Sequence, residues 1–420
     1  MPNGDTHHDA NPSATAPGRR AFLAGAAGVA TLGGAGLLLP AAAAATTSAA
    51  SRKPVPAAGQ PVPKVLRSLR ALEKSGRART DLATTLPITQ RGTTYQMAQE
   101  VRWLDTEHFA VGRWDGSMSL FSFQTAPYQG PIISEAVNDP AQQGVQMITP
   151  LPRAAIATSN DYSSLALWHA RGGDWTRLVL RTTYAYDPAL GTARSGAWIA
   201  GSGQRLVVGH SNGFLSVWRY DASTLTLTFE RSVDVKNAQP TNPFDDHTIE
   251  DVVVADASQG VVAAGSEDGY VTMLHLPSGT ILSQTVFNPQ AQRGINAVTV
   301  SGNRLIVANC SVGPNDYNTW YFAIDKSNWS ITLLDKKNLI IDTGRPQVFN
   351  FDIVWGRYSG GRCWFASTEE GALWMGTASA TSLSTVGYQQ LTAPLGSALA
   401  YQGGDLVMVA YDLYQFTTEA

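Results

Sequence analysis

The chain contains 420 residues, of which 44% are hydrophobic and 15% charged, with 39 glycines and 11 tryptophans. This composition suits one large, turn-rich all-β domain better than a helical one. The formal net charge of -3 excludes the strongly basic surface that nucleic-acid binding requires, so we expect no DNA or RNA partner.

The first feature along the chain is a pair of arginines near the amino terminus. Arg19 and Arg20 are followed by Phe22 and Leu23, and residues 21–39 are largely apolar but diluted with glycine and alanine. Residues 41–45 are all alanine, which allows cleavage at an Ala-x-Ala site. Residues 1–45 therefore resemble a twin-arginine translocation signal, although Gly18 replaces the usual serine or threonine.

This resemblance implies a cellular location. A twin-arginine signal exports proteins that have already folded, so we expect the mature protein in the periplasm or outside the cell, with no stable membrane span after cleavage. The alternative is an uncleaved anchor, because about 19 apolar residues can just cross a bilayer. Glycine and alanine contribute little to membrane insertion, which favours cleavage.

Residues 46–80 separate this signal from the rest of the chain. Residues 46–63 are rich in alanine, serine and proline, a composition typical of a disordered spacer. Over residues 64–79, leucines recur at helical spacing opposite lysines and arginines. This pattern predicts a short amphipathic helix packed on the rim of the following domain.

From residue 81 onward, the sequence repeats a unit of two strands joined by a tight turn. Gly116, Gly213, Gly269 and Gly371 each end such a turn and precede a run of strand-forming residues. These glycines are separated by about 50 residues or about twice that, a spacing typical of propeller blades. Seven copies of the strand pair can be traced, at residues 107–123, 153–170, 205–221, 260–276, 303–325, 362–378 and 405–417.

Six of these pairs have an inner and an outer strand beside them, but the seventh lacks an outer strand. Residues 81–90 form a strand-like segment that has no sheet of its own. We therefore predict an all-β, seven-bladed β-propeller over residues 81–420, with the amino-terminal strand completing the last blade. Ring closure of this kind leaves no large open sheet edge.

The fourth repeat resembles a known family. His247 opens its inner strand, residues 265–269 form its turn, and His275 stands where that family usually has tryptophan. The chain thus resembles a divergent WD40-type propeller, and quinoprotein-like propellers share the same blade plan. The resemblance implies that His247 hydrogen-bonds the turn carboxylate of Asp268 and stabilises the blade.

Three arginines are predicted to share one rim of the propeller. Arg194, Arg293 and Arg345 each stand just before an inner strand, on the face that surrounds the channel mouth. Together they could bind a carboxylate or phosphate through forked hydrogen bonds. The alternative is that each arginine pairs with a nearby aspartate such as Asp187 or Asp342.

The longest loop on the same face, residues 236–248, is rich in amides and carboxylates. Asp245, Asp246 and Glu250 could offer oxygen ligands to Ca²⁺, as in propeller hydrolases and lactonases. In those enzymes several blades each supply ligands, so we predict no metal and no other cofactor here. Of the adjacent Glu250 and Asp251, one should face the channel, and Glu250 is our candidate for ligand binding.

An insertion at residues 310–319 lengthens the fifth hairpin over this face and makes Asp316 a further binding candidate. The two cysteines, Cys310 and Cys363, lack the spacing of metal ligands, so we expect both to be buried in strands, with a disulfide as the alternative. The sequence contains no nucleophile elbow and no glycine-rich phosphate loop.

These observations favour a binding protein over an enzyme. We predict an exported bacterial propeller that acts as a monomeric interaction platform and binds a protein or an extended ligand through its loop-rich face. One alternative is a hydrolase or lactonase that depends on a divalent cation. A second is a quinoprotein-like oxidoreductase, which the turn at residues 276–280 supports only poorly.

Overall fold

The chain folds into an all-β propeller of seven blades, as predicted. A computed structural model describes residues 88–113, 116–123, 132–137, 144–161, 163–201, 203–236, 246–288, 294–311, 317–339, 348–368, 371–391 and 396–418. The predicted signal and spacer lie outside these residues. In the described part, the helices are single 3-10 turns at Arg171–Gly173, Trp175–Arg177 and Pro188–Leu190, and no helix is long and apolar enough to cross a membrane.

Each blade is an antiparallel sheet whose strands run from the channel outward. Blade 1 contains β1 (Ile88–Trp103), β2 (His108–Arg113), β3 (Ser117–Ser122) and β4 (Ile132–Val137). Blade 2 contains β5 (Ile148–Leu151), β6 (Ala155–Asp161), β7 (Ser164–Ala170) and β8 (Leu178–Ala185). Blade 3 contains β9 (Ala193–Ile199), β10 (Arg205–His210), β11 (Phe214–Asp221) and β12 (Thr226–Asp234). Blade 4 contains β13 (Ile249–Asp256), β14 (Val261–Ser266), β15 (Tyr270–His275) and β16 (Thr280–Val286).

The remaining blades follow the same plan. Blade 5 contains β17 (Ile295–Ser301), β18 (Arg304–Ser311), β19 (Thr319–Asp325) and β20 (Ser330–Lys337). Blade 6 contains β21 (Val348–Tyr358), β22 (Gly361–Thr368), β23 (Ala372–Ala378) and β24 (Leu383–Gln390). Blade 7 contains β25 (Leu399–Gln402) and β26 (Asp405–Thr418), and its outer strand comes from β1.

Strand β1 closes the ring. Its first part pairs with β26 in an antiparallel register that runs from Ile88 opposite Thr418 to Tyr95 opposite Asp412, and its second part pairs with β2. The Thr418 N–H donates to the Gly404 carbonyl at 2.7 Å, so β26 folds back on itself and provides both middle strands of blade 7. The predicted closure by an amino-terminal strand is therefore confirmed. Within the described part this strand begins at Ile88, and residues 81–87 lie outside it.

The tight turns between the middle strands depend on glycine. Gly116, Gly213, Gly269 and Gly371 have φ angles of 81°, 76°, 83° and 74°. This left-handed conformation is costly for residues with a Cβ atom, so the repeated glycines are a backbone requirement of the hairpins. The repeat read from the sequence thus corresponds to the blade hairpin.

The hydrophobic core is divided among the interfaces between neighbouring blades. Successive strand residues point to opposite faces of a blade. In β10, Leu206 packs in the cluster shared with blade 2, whereas Val207 packs in the cluster shared with blade 4. Seven such clusters accompany seven interfaces, and the one between blades 7 and 1 includes Val101 and Val407. A closed ring is the arrangement that buries both faces of every blade.

One cysteine has a described side chain. Cys363 is a free thiol, and burial in β22 raises its pKa to about 12. The thiol is therefore protonated and unreactive at neutral pH. The side chain of Cys310 lies outside the described residues.

Candidate functional site

The propeller has two unequal faces. The face that we call the loop face carries the middle-strand hairpins and the ends of the outer strands, from which the chain leads towards the next inner strand, as at residues 235–236 and 338–339. The opposite face, called the turn face, carries short connections such as residues 302–303 and 403–404. Long connecting segments carry binding function more often than tight turns do. The loop face and the channel mouth at its centre are therefore the candidate site.

Several inner strands contain a β-bulge near the channel mouth. In β13, Ile249 pairs with Ser266 and Asp251 with Gly265, so that Glu250 is the extra residue. The same break in register occurs at four other inner strands. Across the five strands the extra residues are Gln99, Arg194, Glu250, Asn296 and Phe351. A bulge changes the direction of the side chains next to it. The regular alternation of side chains between the two faces of a strand is therefore interrupted at the channel mouth.

Carboxylates that follow two of these bulges link neighbouring blades. Asp251 accepts a hydrogen bond from the Val298 N–H of blade 5 at 2.9 Å. At the equivalent position of β21, Asp352 accepts hydrogen bonds at 2.7 Å from the N–H groups of Ile353 and of Leu399 in blade 7. Hydrogen bonds from backbone N–H groups to a charged acceptor are stronger than neutral ones. These two residues therefore fix the relative position of the inner strands.

The same carboxylates line the central channel. A cavity of about 300 Å³ there is lined by Asp251, Asp352 and Arg102, together with apolar residues of five blades. Arg102 also forms an ion pair with the buried Glu100, with 2.5 Å between Nη1 and Oε1. The channel thus holds three carboxylates and one guanidinium close together.

Asp352 has an unusual acidity. Burial, which disfavours the charged form, raises the pKa of its carboxyl group to about 7. Arg102 and the Leu399 N–H act against this shift, whereas the negative charges of Asp251 and Glu100 add to it. The group can therefore gain or lose a proton near neutral pH, which is a common property of functional carboxyls.

Of the three predicted rim arginines, the structure describes Arg194. This residue lies inside β9, where it is buried and donates a hydrogen bond to the Gln146 side chain of blade 2. Asp187, the acidic partner considered from the sequence, instead accepts a hydrogen bond from the Ala189 N–H. Arg194 therefore faces a neighbouring blade and does not project freely from the rim. Arg293, Arg345 and Asp316 lie outside the described residues.

The adjacent acidic residues of β13 take different positions. Asp251 lines the channel cavity, and Glu250 is buried at the bulge. The bulge breaks the strict alternation of side chains that a regular strand would show. A sequence signal for these channel residues was available. In two aligned inner strands, an aspartate directly precedes a β-branched residue, as in Asp251-Val252 and Asp352-Ile353.

His247 and Asp268 lie in contact. The His247 Nδ1 atom is 3.0 Å from Asp268 Oδ2, and the Ser266 hydroxyl donates to the other carboxylate oxygen. Asp268 is only 1% exposed. This arrangement links the segment before β13 to the hairpin of the same blade.

Blade 3 contains a related chain of polar groups that the sequence reasoning missed. His210 is fully buried, with Nδ1 3.2 Å from the Gly191 carbonyl and Nε2 2.7 Å from the Ser216 hydroxyl oxygen, which also accepts the Trp218 N–H. Burial lowers the pKa of His210 to about 4, so the ring is neutral. The available signal was the Gly209-His210 dipeptide, which lies in β10 rather than before an inner strand.

Two of the three residues considered above as calcium ligands lie in the described part of the chain. Asp246 accepts a hydrogen bond from the Thr248 N–H at 2.9 Å, Glu250 is buried in β13, and Asp245 lies outside the described residues. Where side chains are described, no group of three or more His, Cys, Asp or Glu residues could hold a metal ion.

An aromatic patch lies on the loop face of blade 5. Tyr317 is 40% exposed and packs edge-on against Trp320, with 6.1 Å between ring centroids. The Lys336 ammonium group lies 4.1 Å from the centroid of the Tyr317 ring and 4.9 Å from that of Trp320. We call these three residues the aromatic patch. Sequence reasoning selected the insertion at residues 310–319, which contains Tyr317, but not Trp320 or Lys336.

Comparisons with known proteins match the fold. No protein-family model matches the chain, and no curated protein matches it either. Among solved structures, it is similar to the β-propeller domain of Cps50 (Swd1) from Myceliophteria thermophila, with 12% identity, a TM-score of 0.57, and coverage of 79% of this chain and 100% of that domain.

Two further structures are similar to the same extent. The WD40 domain of Pan2 from Neurospora crassa shows 10% identity and a TM-score of 0.56, over 79% of this chain and 96% of that one. A chain of the mitotic checkpoint complex shows 11% identity and a TM-score of 0.57, over 82% and 96%. At such low identity the likeness concerns the fold, a seven-bladed propeller with WD40 structural neighbours.

Proposed function

We propose that this protein is a binding platform that engages a partner protein through its loop face. The observation that carries the proposal is the aromatic patch, where an exposed tyrosine, a tryptophan and a lysine lie together on the face with the long loops. Tyrosine and tryptophan are enriched at protein interfaces, because they bury a large area with few rotatable bonds. One structural neighbour is itself part of a multiprotein complex.

The surroundings of the patch suit this role. Its tyrosine lies two residues before β19 and packs against Trp320 of that strand, and its lysine lies in β20, near the end of that strand on the loop face. A side chain held in place before binding loses less entropy on association than a mobile one. The channel mouth supplies polar groups for orientation, although its carboxylates are mostly engaged within the ring.

We also propose that the platform acts outside the cytoplasm. The support is the resemblance of residues 1–45 to a twin-arginine signal, which exports folded proteins. A propeller whose first and last strands pair must fold as a complete chain, which is compatible with that route. A monomer that binds a protein or an extended ligand in the periplasm or outside the cell remains our proposal for the mature form.

Lysine-directed cross-linking tests which face binds. Lys236, Lys336 and Lys337 lie on the loop face, and Lys326 lies on the turn face as an internal control. We expect cross-links to other proteins, mapped by mass spectrometry after treatment of cells that express the full chain, to concentrate on the first three lysines. Equal cross-linking at Lys326 would contradict the proposal.

A pair of variants makes the test specific to the patch. Tyr317→Ala removes its exposed ring, whereas Phe229→Ala removes a ring of similar exposure, 45%, from the outer edge of blade 3. Loop-face cross-links should fall several-fold with the first variant and stay unchanged with the second. If both variants behave like the wild type, the patch is not the binding surface.

A further inference from the structure

A second cavity, of about 360 Å³, opens on the turn face between blades 5, 6 and 7. Its wall contains Trp355, Arg357, Arg362 and Tyr401, together with Ser301 and turn glycines, and no carboxylate is among its described lining residues. We propose that this cavity binds the phosphate or carboxylate group of a small-molecule ligand. Because it lies on the face opposite the proposed platform, the inference is independent of that function.

The Arg362 guanidinium is held in place for such a role. Its central carbon lies 5.3 Å from the centroid of the Trp355 ring, and Nη1 donates a long hydrogen bond of 3.4 Å to the Ser301 carbonyl. Contact with an aromatic face fixes the plane of a guanidinium while leaving most of its N–H donors available. A planar fork of donors matches the oxygen atoms of a phosphate or carboxylate.

Arg357 supplies the second positive charge from a fixed backbone. Its N–H donates to the Tyr401 hydroxyl oxygen at 3.0 Å, and its carbonyl accepts from the Thr418 hydroxyl at 3.2 Å. A Cβ atom at the adjacent Gly356 would lie 3.1 Å from the Tyr401 ring, so this close packing depends on glycine. The Arg357 side chain itself is exposed and forms no ion pair within the described part of the chain.

Trp355 adds an unused donor. Its indole N–H is buried and has no hydrogen-bond acceptor among the residues that the structure describes. Buried polar groups nearly always have a partner, and an oxygen atom of a bound anion would provide one. Two arginines and a tryptophan whose N–H has no acceptor among the described residues therefore line one cavity, and no acid is among its described lining residues.

The volume of the cavity suits a small molecule better than a single inorganic ion. The cavity volume lies at the lower end of the range for small-molecule sites, about 300–1,000 Å³. The Trp355 side chain, which lines the cavity, adds an apolar contact for a flat group. A soluble phosphorylated compound and the headgroup of a phospholipid share this chemistry.

Titration of the full chain with inorganic phosphate, phenyl phosphate and benzoate, followed by calorimetry and thermal unfolding, tests the proposal. We expect saturable binding that raises Tm and weakens as the salt concentration increases. Phenyl phosphate should bind more tightly than inorganic phosphate because of the aromatic wall. Absence of saturable binding by all three probes would overturn the proposal.

Three variants and one control locate the site. Arg357→Gln and Arg362→Gln should each weaken binding by about tenfold or more, and Trp355→Phe by a few-fold, with Tm in the absence of ligand serving as the check on folding. Arg153→Gln removes an arginine from the turn face of blade 2, away from the cavity, and should leave binding unchanged. An equal loss in the control would show attraction by surface charge and would overturn the site.

Vesicles distinguish the two sources of phosphate. Neutral phosphatidylcholine vesicles with and without phosphatidic acid are sedimented with the wild type and with Arg362→Gln. Binding to the acidic vesicles that the variant loses assigns the site to a lipid headgroup. Phosphate binding without vesicle binding assigns it to a soluble ligand.

Discussion

At the scale of single residues, buried polar side chains mark the positions where one segment of a blade depends on another. His247 and Asp268 hold the entry of β13 to its hairpin, and Ser266 satisfies the second carboxylate oxygen. His210 and Ser216 have the corresponding role in blade 3, where the Ser216 hydroxyl oxygen also accepts the Trp218 N–H. Loss of one partner leaves a buried polar group unsatisfied, which costs about 1–3 kcal/mol.

The first prediction concerns the pair in blade 4. His247→Ala should lower the free energy of unfolding by about 1–3 kcal/mol, because the buried Asp268 loses a hydrogen-bond donor. A double-mutant cycle with Asp268→Ala, measured by urea denaturation, should give a coupling energy of about 1–2 kcal/mol. His275→Ala, at a partly exposed histidine in the same blade, should change stability by less than about 0.5 kcal/mol. A coupling energy near zero would show that the contact does not stabilise the blade.

The second prediction concerns the pH dependence that Asp352 imposes. The pKa of this carboxyl in the folded protein is about 7, above the ordinary value of 3.8. Between pH 3.8 and pH 7 the folded protein therefore holds a proton on Asp352 that the unfolded chain has lost. The stabilisation that Asp352 contributes is fully present below about pH 4 and is lost as the pH rises through 7. Asp352→Asn should therefore be less destabilising, relative to the wild type, at pH 9 than at pH 5, by on the order of 2–4 kcal/mol.

Denaturation curves at both pH values check this prediction. Asp256→Asn is a suitable control, because hydrogen bonds from Lys326 and Ser258 hold the pKa of Asp256 below its ordinary value. Its effect on stability should stay constant between pH 5 and 9, since both its folded and unfolded pKa values lie below that window. If the Asp352→Asn difference is equally flat, the carboxyl does not titrate near neutrality.

At the scale of elements, strands and hairpins could be predicted, but bulges could not. Alternating apolar residues and turn glycines located all seven strand pairs, because a side-chain period of two and a positive φ angle leave direct marks on the sequence. A bulge adds one residue without any compositional mark. For this reason the sequence could not show that Asp251 lines the channel cavity, and the link from Asp352 to blade 7 was missed.

The candidate site was less predictable than the fold, since it depends on contacts between blades. The partner of Arg194 is Gln146, 48 residues earlier in the chain, and the two meet because blades 2 and 3 are adjacent at the channel. A search for partners near in sequence selected Asp187 instead. The local contact of His247 with Asp268, by contrast, was implied by the resemblance of blade 4 to WD40 repeats.

The third prediction concerns the amino-terminal element. Arg19→Lys together with Arg20→Lys should leave the uncleaved precursor in the cytoplasm, because the twin-arginine pathway depends on that pair. Immunoblots of cytoplasmic and exported fractions measure the effect, with Arg67→Lys in the predicted spacer helix as a control that should still be exported. Export of the double variant at the wild-type level would refute the signal assignment.

At the scale of the whole molecule, ring closure joins the two ends of the propeller. The side chain of Trp103 donates to the Ala400 carbonyl, and that of Ser397 donates to the Gln99 carbonyl. The apolar cluster between blades 7 and 1 is as continuous as those between other neighbouring blades. The interface between blades 7 and 1 is therefore packed like the others, although it is formed by residues about 300 positions apart.

The fourth prediction tests this closure by truncation. A chain that begins at residue 97 lacks the outer strand of blade 7, so we expect Tm to fall by roughly 5 °C or more and the exposed edge of β26 to promote association. A chain that begins at residue 81 keeps that strand and should match the full-length mature protein. Differential scanning calorimetry and light scattering measure the two effects. Equal Tm values for the two chains would contradict a stabilising role for the closing strand.

Strand β1 belongs both to blade 7 and to blade 1, and this has a consequence for biosynthesis. Because β1 precedes the other strands in the chain and its partner β26 follows them, the intervening blades must be synthesised before this pairing can form. Until then the nascent chain exposes an unpaired edge at each end of an incomplete ring, where holdase chaperones could bind. Translation that stops before β26 would leave an open ring with both edges unpaired.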